Sequence, residues 1–196
     1  MARVLQLPLS EEVVRSLALN EQVELCGRIY TARDAVHKYL SEVTDAELVS
    51  LPDLRQAIFY HCGPVVIKQD GEWKITAAGP TTSSREEPYM ASLIERFSLR
   101  GVIGKGGMGE QTAAACRDFG CVYLHAVGGA AQVLAHAVKK VSEVYFLEEF
   151  GFPEALWCLE VENFPAVVTM DAHGNSLHHQ VKQDSRVKLE QLLAGK

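Results

Sequence analysis

The chain has 196 residues, 47% hydrophobic and 22% charged, which supplies a proper core and excludes an intrinsically disordered chain. Its 19 Lys and Arg against 25 Asp and Glu leave a net charge of −6, the wrong sign for a protein that works by neutralising phosphate backbones, so nucleic acid is not an expected partner. Residues 1–12 lack the apolar run of a secretory signal, and residues 126–138 are too short and too interrupted by Gly128, Gly129, Gln132 and His136 to cross a membrane.

In chain order, residues 4–9 and 23–30 read as strands. Pro8 puts the first at a sheet edge or ends it early. Residues 32–40 read as a short helix, 57–66 as β-rich and broken at Gly63-Pro64, and 73–78 as another strand. Met90, Leu93, Ile94 and Phe97 recur at helical spacing and predict a helix over 89–99. A short strand at 101–103 leads into a glycine-rich turn and a helix over 110–119. A strand at 122–126, a helix at 130–141, strands at 156–161 and 166–171, and a terminal helix at 184–193 complete the reading. The whole, residues 1–196, is expected to be one α/β domain, a parallel-containing mixed β-sheet with further β structure and flanking helices.

Five cysteines, Cys26, Cys62, Cys116, Cys121 and Cys158, form no Cys-x-x-Cys pair and suit reduced core thiols of a cytoplasmic protein. Seven histidines scatter without zinc-site spacing, and His178-His179 is expected on a solvated strand or turn.

Three segments share a pattern of strand, small-residue turn, then a cation at or near a helix start. They contain Arg33 in Tyr30-Thr31-Ala32-Arg33-Asp34, Arg85 in Gly79-Pro80-Thr81-Thr82-Ser83-Ser84-Arg85-Glu86, and Lys105 in Gly104-Lys105-Gly106-Gly107-Met108-Gly109. Thr31 and Ser83 read as N-caps, with Asp34 and Glu86 three residues on. A helix start is the positive end of the macrodipole, so a cation there is unfavourable unless an anion lies between them. Arg33, Arg85 and Lys105 therefore suggest an anion pocket, Arg fitting a carboxylate bidentately and Lys supplying a point charge. The plainer alternative is surface pairing, with Asp34 holding Arg33 and Glu86 or Glu87 holding Arg85.

Gly104-x-Gly106-x-x-Gly109 matches a dinucleotide fingerprint in form. Gly128-Gly129 stands where a ribose-binding acid belongs, and Gly106 follows Lys105 where a phosphate loop needs Ser or Thr. Thr81, on a turn facing the presumed pocket, can bond a carboxylate, cap a helix or move a proton. No Ser-His-Asp or nucleophile-elbow pattern is present.

The run Gly27-Arg28-Ile29-Tyr30-Thr31-Ala32-Arg33-Asp34-Ala35-Val36-His37 resembles the opening signature of the β subunit of class I iron–sulfur fumarate hydratases and L-tartrate dehydratases. Residues 79–85, then Gly104-Lys105-Gly106, are similar to its two further signatures. Glu154-Ala155-Leu156-Trp157 and residues 160–166 resemble its C-terminal block. The resemblance covers nearly the whole chain and implies a swivelling β/β/α domain. It further implies a partner α subunit carrying a 4Fe–4S cluster, an α2β2 assembly, and a C4 dicarboxylate substrate. Fumarate/L-malate is the first expectation, L-tartrate the alternative within the family, and a non-catalytic dicarboxylate-binding module the alternative outside it. Arg33, Arg85 and Lys105 would then hold carboxylates, Thr81 would take the C3 proton, and this chain would carry no metal ligand.

Overall fold

The computed structural model describes residues 2–44 and 46–194. In chain order the elements are β1 (Arg3–Gln6), α1 (Glu11–Arg15), β2 (Gln22–Thr31), α2 (Asp34–Glu42), β3 (Ile58–Tyr60), β4 (Val65–Gln69), β5 (Glu72–Ala77) and α3 (Glu87–Phe97). They continue with β6 (Gly101–Gly104), α4 (Glu110–Phe119), β7 (Val122–His125), α5 (Ala131–Ala137), β8 (Val138–Tyr145), α6 (Leu147–Phe150), β9 (Leu156–Met170) and α7 (Leu177–Ala194). None of the helices is long and apolar enough to cross a membrane, among the described residues.

Seven strands form one mixed sheet in the order β1-β2-β3-β6-β7-β9-β8. β9 also pairs with β2, so β2, β3, β6, β7 and β9 close into a barrel-like ring. The strands from β1 through β7 in that order run parallel, and β9 runs antiparallel to β2, β7 and β8. Closure leaves few free strand edges. β4 and β5 form a separate hairpin.

Period-two alternation divides the core. Ile58, Tyr60, Ile103, Val122 and Leu124 point into the ring with Leu25, Ile29, Trp157 and Phe164. Phe59, Val102 and Tyr123, one residue out of phase, point outward under the helices. There they meet Val36 and Leu40 of α2 and Met90, Leu93, Ile94 and Phe97 of α3, the apolar stripe predicted from spacing. Each such fully buried side chain contributes about 1.5–3 kcal/mol.

Four expectations are corrected. The predicted helix over 130–141 stops at Ala137 and the chain continues as β8. Val138, Val141 and Val144 mimic helical spacing. Register shifts at Val138/Lys140 and Val141/Glu143 return each of them to the core side of a strand. The two strands predicted at 156–161 and 166–171 are one strand, β9, running through Pro165. Pro165 is tolerated because β8 pairs only as far as Val161 and β7 starts at Val167, which leaves one side of β9 open there. α1, capped by the Ser10 side chain, was not expected. His178 and His179 lie in the first turn of α7, which starts before the predicted 184.

Candidate active site

The predicted residues sit at the carboxyl ends of the parallel strands, where open α/β sheets place ligands. Arg33 follows β2, His61 follows β3, Lys105 follows β6, and β7 ends at His125. Thr81 comes from the loop after β5 and is tied to this edge. Its amide and its hydroxyl both donate to the His61 carbonyl, at 2.7 and 3.1 Å. The Lys105 amide donates to the Thr81 carbonyl at 3.3 Å, and the Ser83 amide to the Lys105 carbonyl at 3.0 Å.

The arginines join the same frame from the other side. Arg33 is the N-cap residue of α2, with no side-chain cap bond. Arg85 lies in the short 3-10 turn Ser83–Glu86 that enters α3, and it pairs with Asp34. Lys105 stands apart from the pattern in one respect: α4 begins only at Glu110. Among the described residues no carboxylate pairs with its ammonium, and its aliphatic chain lies beside Gly128.

The ion pairs cross between segments rather than forming within them. Asp34 holds Arg85, not Arg33. Arg33 Nε lies 3.2 Å from Glu154 Oε1, and the other oxygen of Glu154 accepts from the Ala35 amide at 3.0 Å. Glu154 thus supplies, from inside the chain, the anion expected between a cation and a helix start. Glu87 does the same for α4, accepting from the Gly109 and Thr112 amides at 2.6 and 3.1 Å. The expected N-caps are corrected accordingly. Thr31 is buried and staples β2 to β9, donating to the Ala155 carbonyl and accepting from the Trp157 amide. Ser83 is buried and turned toward side chains rather than a helix end.

Beneath Thr81 and the arginines lies a buried polar layer that sequence reading did not assemble. The His37 and His61 rings meet edge-on with centroids 4.9 Å apart. His37 Nδ1 lies 2.8 Å from the Arg33 carbonyl, which can only accept, so that nitrogen carries the proton. His61 Nδ1 lies 2.9 Å from Ser83 Oγ, and the Tyr123 hydroxyl donates to that same oxygen at 2.8 Å. Burial pulls the His37 imidazole down to about 4 and the His61 imidazole well below its ordinary range, with His37 adding to the effect on His61. Both rings are neutral at pH 7. Burial, then the neighbouring Asp34 carboxylate, pushes the Glu86 carboxyl up to about 8. Its Oε2 is 3.5 Å from His37 Nδ1 and has no hydrogen-bond partner. The signals were present as isolated letters: a histidine one turn into α2, a histidine just past β3, and the Ser83–Glu86 spacing.

Two cavities of about 400 Å³, neither lined by Arg33, Thr81, Arg85 or Lys105, lie at different ends of the strands. One lies between Leu48 and Phe97, the other between Gly106, His125 and α7. Cys62, Cys116, Cys121 and Cys158 are buried and Cys26 is partly so. Burial raises the Cys62 and Cys158 thiols to about 12. Among the described residues no three His, Cys, Asp or Glu side chains stand close enough to hold a metal ion. Four of the five cysteines are packed in the core and none belongs to such a group, an arrangement unsuited to ligating a cluster.

A ring of parallel strands closed by one long antiparallel strand, with flanking helices, defines the class as a mixed α/β domain. The particular family follows from comparison: residues 2–181 match the fumarase C-terminus family, and the chain belongs to it. It is 51% identical over 188 residues to a provisionally named class I fumarate hydratase of Geobacillus stearothermophilus, covering 95% of this chain and 35% of that relative. It therefore spans about a third of that protein. It is 41% identical over 186 residues to a provisionally named L(+)-tartrate dehydratase β subunit of Methanocaldococcus jannaschii, covering 94% of this chain and 95% of the relative. The L(+)-tartrate dehydratase β subunit of Escherichia coli K12 is 34% identical over 179 residues, covering 90% and 87%.

Proposed function

We propose that residues 1–196 act as one domain, the β subunit of a cytoplasmic iron–sulfur hydro-lyase that reversibly hydrates fumarate to L-malate. The observation that carries this reading is the convergence of Arg33, Thr81, Arg85 and Lys105 on one hydrogen-bonded frame at the carboxyl edge of the ring. Arg33 and Arg85 are held there by carboxylate side chains, and Lys105 by none among the described residues. A substrate carboxylate can replace Asp34 or Glu154 with no change in the number of charge pairs. Arg33 and Arg85 bind and orient the two carboxylates, and Lys105 offsets the negative charge that builds up as the C3 proton leaves. Thr81 Oγ1 receives that proton as an alkoxide: its own hydrogen, donated to the His61 carbonyl in the free chain, first leaves to solvent, the cations Arg33, Arg85 and Lys105 favour the ionised oxygen, and the C3 proton restores the hydroxyl.

The 4Fe–4S cluster belongs on the α subunit, because the cysteines of this chain do not fit it, and no step is assigned to it here. The assembly is α2β2. L(+)-tartrate is the alternative substrate, supported by 41% and 34% identity to relatives named as L(+)-tartrate dehydratase β subunits. The test is hydration of fumarate and dehydration of L(+)-tartrate by the chain alone and with a cluster-bearing α subunit, under anaerobic conditions. Turnover is expected only with the partner. Robust turnover by the chain alone overturns the shared site, and none with the partner leaves a binding module.

A further inference from the structure

We infer that His61, Ser83 and Tyr123 form a buried positioning unit that aims the Thr81 hydroxyl and sets its register against the Lys105 loop. The inference deepens the assignment of Thr81 above and rests on it. All three side chains are fully buried. They meet over Gly104: a Cβ there would lie 1.9 Å from Ser83 Oγ, 3.0 Å from the Tyr123 oxygen and 3.3 Å from His61 Nδ1. Only glycine leaves room for the meeting.

The Tyr123 hydroxyl donates to Ser83 Oγ at 2.8 Å. Ser83 Oγ in turn shares a hydrogen bond with His61 Nδ1, 2.9 Å away. The His61 ring is thereby pinned, and with it the peptide whose carbonyl receives both the amide and the hydroxyl of Thr81. The backbone of Ser83 closes the loop by holding the Lys105 carbonyl. One serine thus links the proton acceptor, the lysine loop and the glycine turn. A connected chain of buried hydrogen bonds stiffens its members. Packing alone would have been served by apolar side chains at these positions, without burying three hydrogen-bonding groups.

None of the three touches substrate, so the test separates positioning from general stability. In the chain alone, Ser83→Ala and Tyr123→Phe are expected to speed hydrogen exchange of the Thr81 and Lys105 amides about tenfold or more, with the β1 and β9 amides unchanged. In the enzyme reconstituted with its α subunit and assayed on fumarate and on L(+)-tartrate, kcat is expected to fall about tenfold, with KM within about twofold. His61→Asn, which keeps an acceptor near the Nδ1 position, should retain more kcat than His61→Leu. Unchanged exchange at Thr81 overturns the inference. So does faster exchange across the whole chain, with kcat and KM worsening together, which marks loss of packing only. If the wild-type assembly turns over neither substrate, the functional assignment fails while the exchange result still decides whether the unit orders Thr81.

Discussion

The two ends of the ring treat positive charge in opposite ways. At the amino end, Arg100 enters β6 almost fully buried. Its Nη1 donates to the Phe119 and Gly120 carbonyls at 2.8 and 3.0 Å, and its Nη2 meets Glu11 at 3.3 Å. Those carbonyls end α4, the negative pole of that helix, where a cation is welcome. At the carboxyl end, Arg33 and Arg85 stand at helix starts, where the field is wrong for them, and are held by the side chains of Glu154 and Asp34. A carbonyl at a helix end cannot leave without unwinding the helix, whereas a carboxylate side chain can rotate away. Arg100 therefore belongs to the fold, and under the proposed function the two arginines at the other end exchange one carboxylate for another.

The sharpest way to break this contrast is Arg100→Met. It leaves two helix-end carbonyls unpartnered in a buried place, and a loss of about 3 kcal/mol is expected. For a chain of this size that is a fall in Tm of roughly 6–12 °C. Catalysis per folded molecule should not change. An unaltered melting curve would remove the distinction between the ends.

The ends also differ in their response to pH, because the neutral histidines lie at the carboxyl end. The folded chain keeps His37 unprotonated down to about pH 4, while the unfolded chain takes up a proton near 6.5. The unfolded state binds more protons across that window, so stability rises with pH there and is lost on acidification, by about 3 kcal/mol. Glu86 works the other way. The folded chain keeps its proton up to about pH 8, and the unfolded chain releases it near 4.5, so stability falls as pH climbs through that range. Melting temperatures from pH 4 to 9 should show His37→Asn flattening the acid side and Glu86→Gln flattening the alkaline side. Profiles superimposable on wild type would place both groups in water.

Much of the fold was legible because its periods are local. The α3 stripe and the short strands alternating with α4 follow from residue spacing alone. β8 was not legible because two bulges give a strand the spacing of a helix, and β9 was not because Pro165 ordinarily ends a strand. The four candidate residues could be read from turn chemistry, each within its own segment. Their partners could not. Asp34 reaches Arg85, Glu154 reaches Arg33, and His37 meets His61 only once the ring has closed. Thr31 was misread for the same reason: its local spacing suggested a cap, and strand pairing with β9 took its hydroxyl instead.

The smallest expected effect tests whether the carboxyl-end arginines are replaceable in kind or only in partner. The side chain of Arg85 is more than half exposed, so its pair with Asp34 contributes little to stability, and Arg85→Lys should leave Tm within about 1–2 °C. The charge is kept, and only the planar fork that grips both oxygens of a carboxylate is lost. In the assembly with the α subunit, kcat/KM should fall about tenfold or more, which is about 1.4 kcal/mol or more of transition-state stabilisation. The contrast with Arg100→Met is then complete: one cation whose loss is read in melting and not in turnover, the other the reverse. Kinetics unchanged by Arg85→Lys would take Arg85 out of the substrate site and leave it as a surface partner of Asp34.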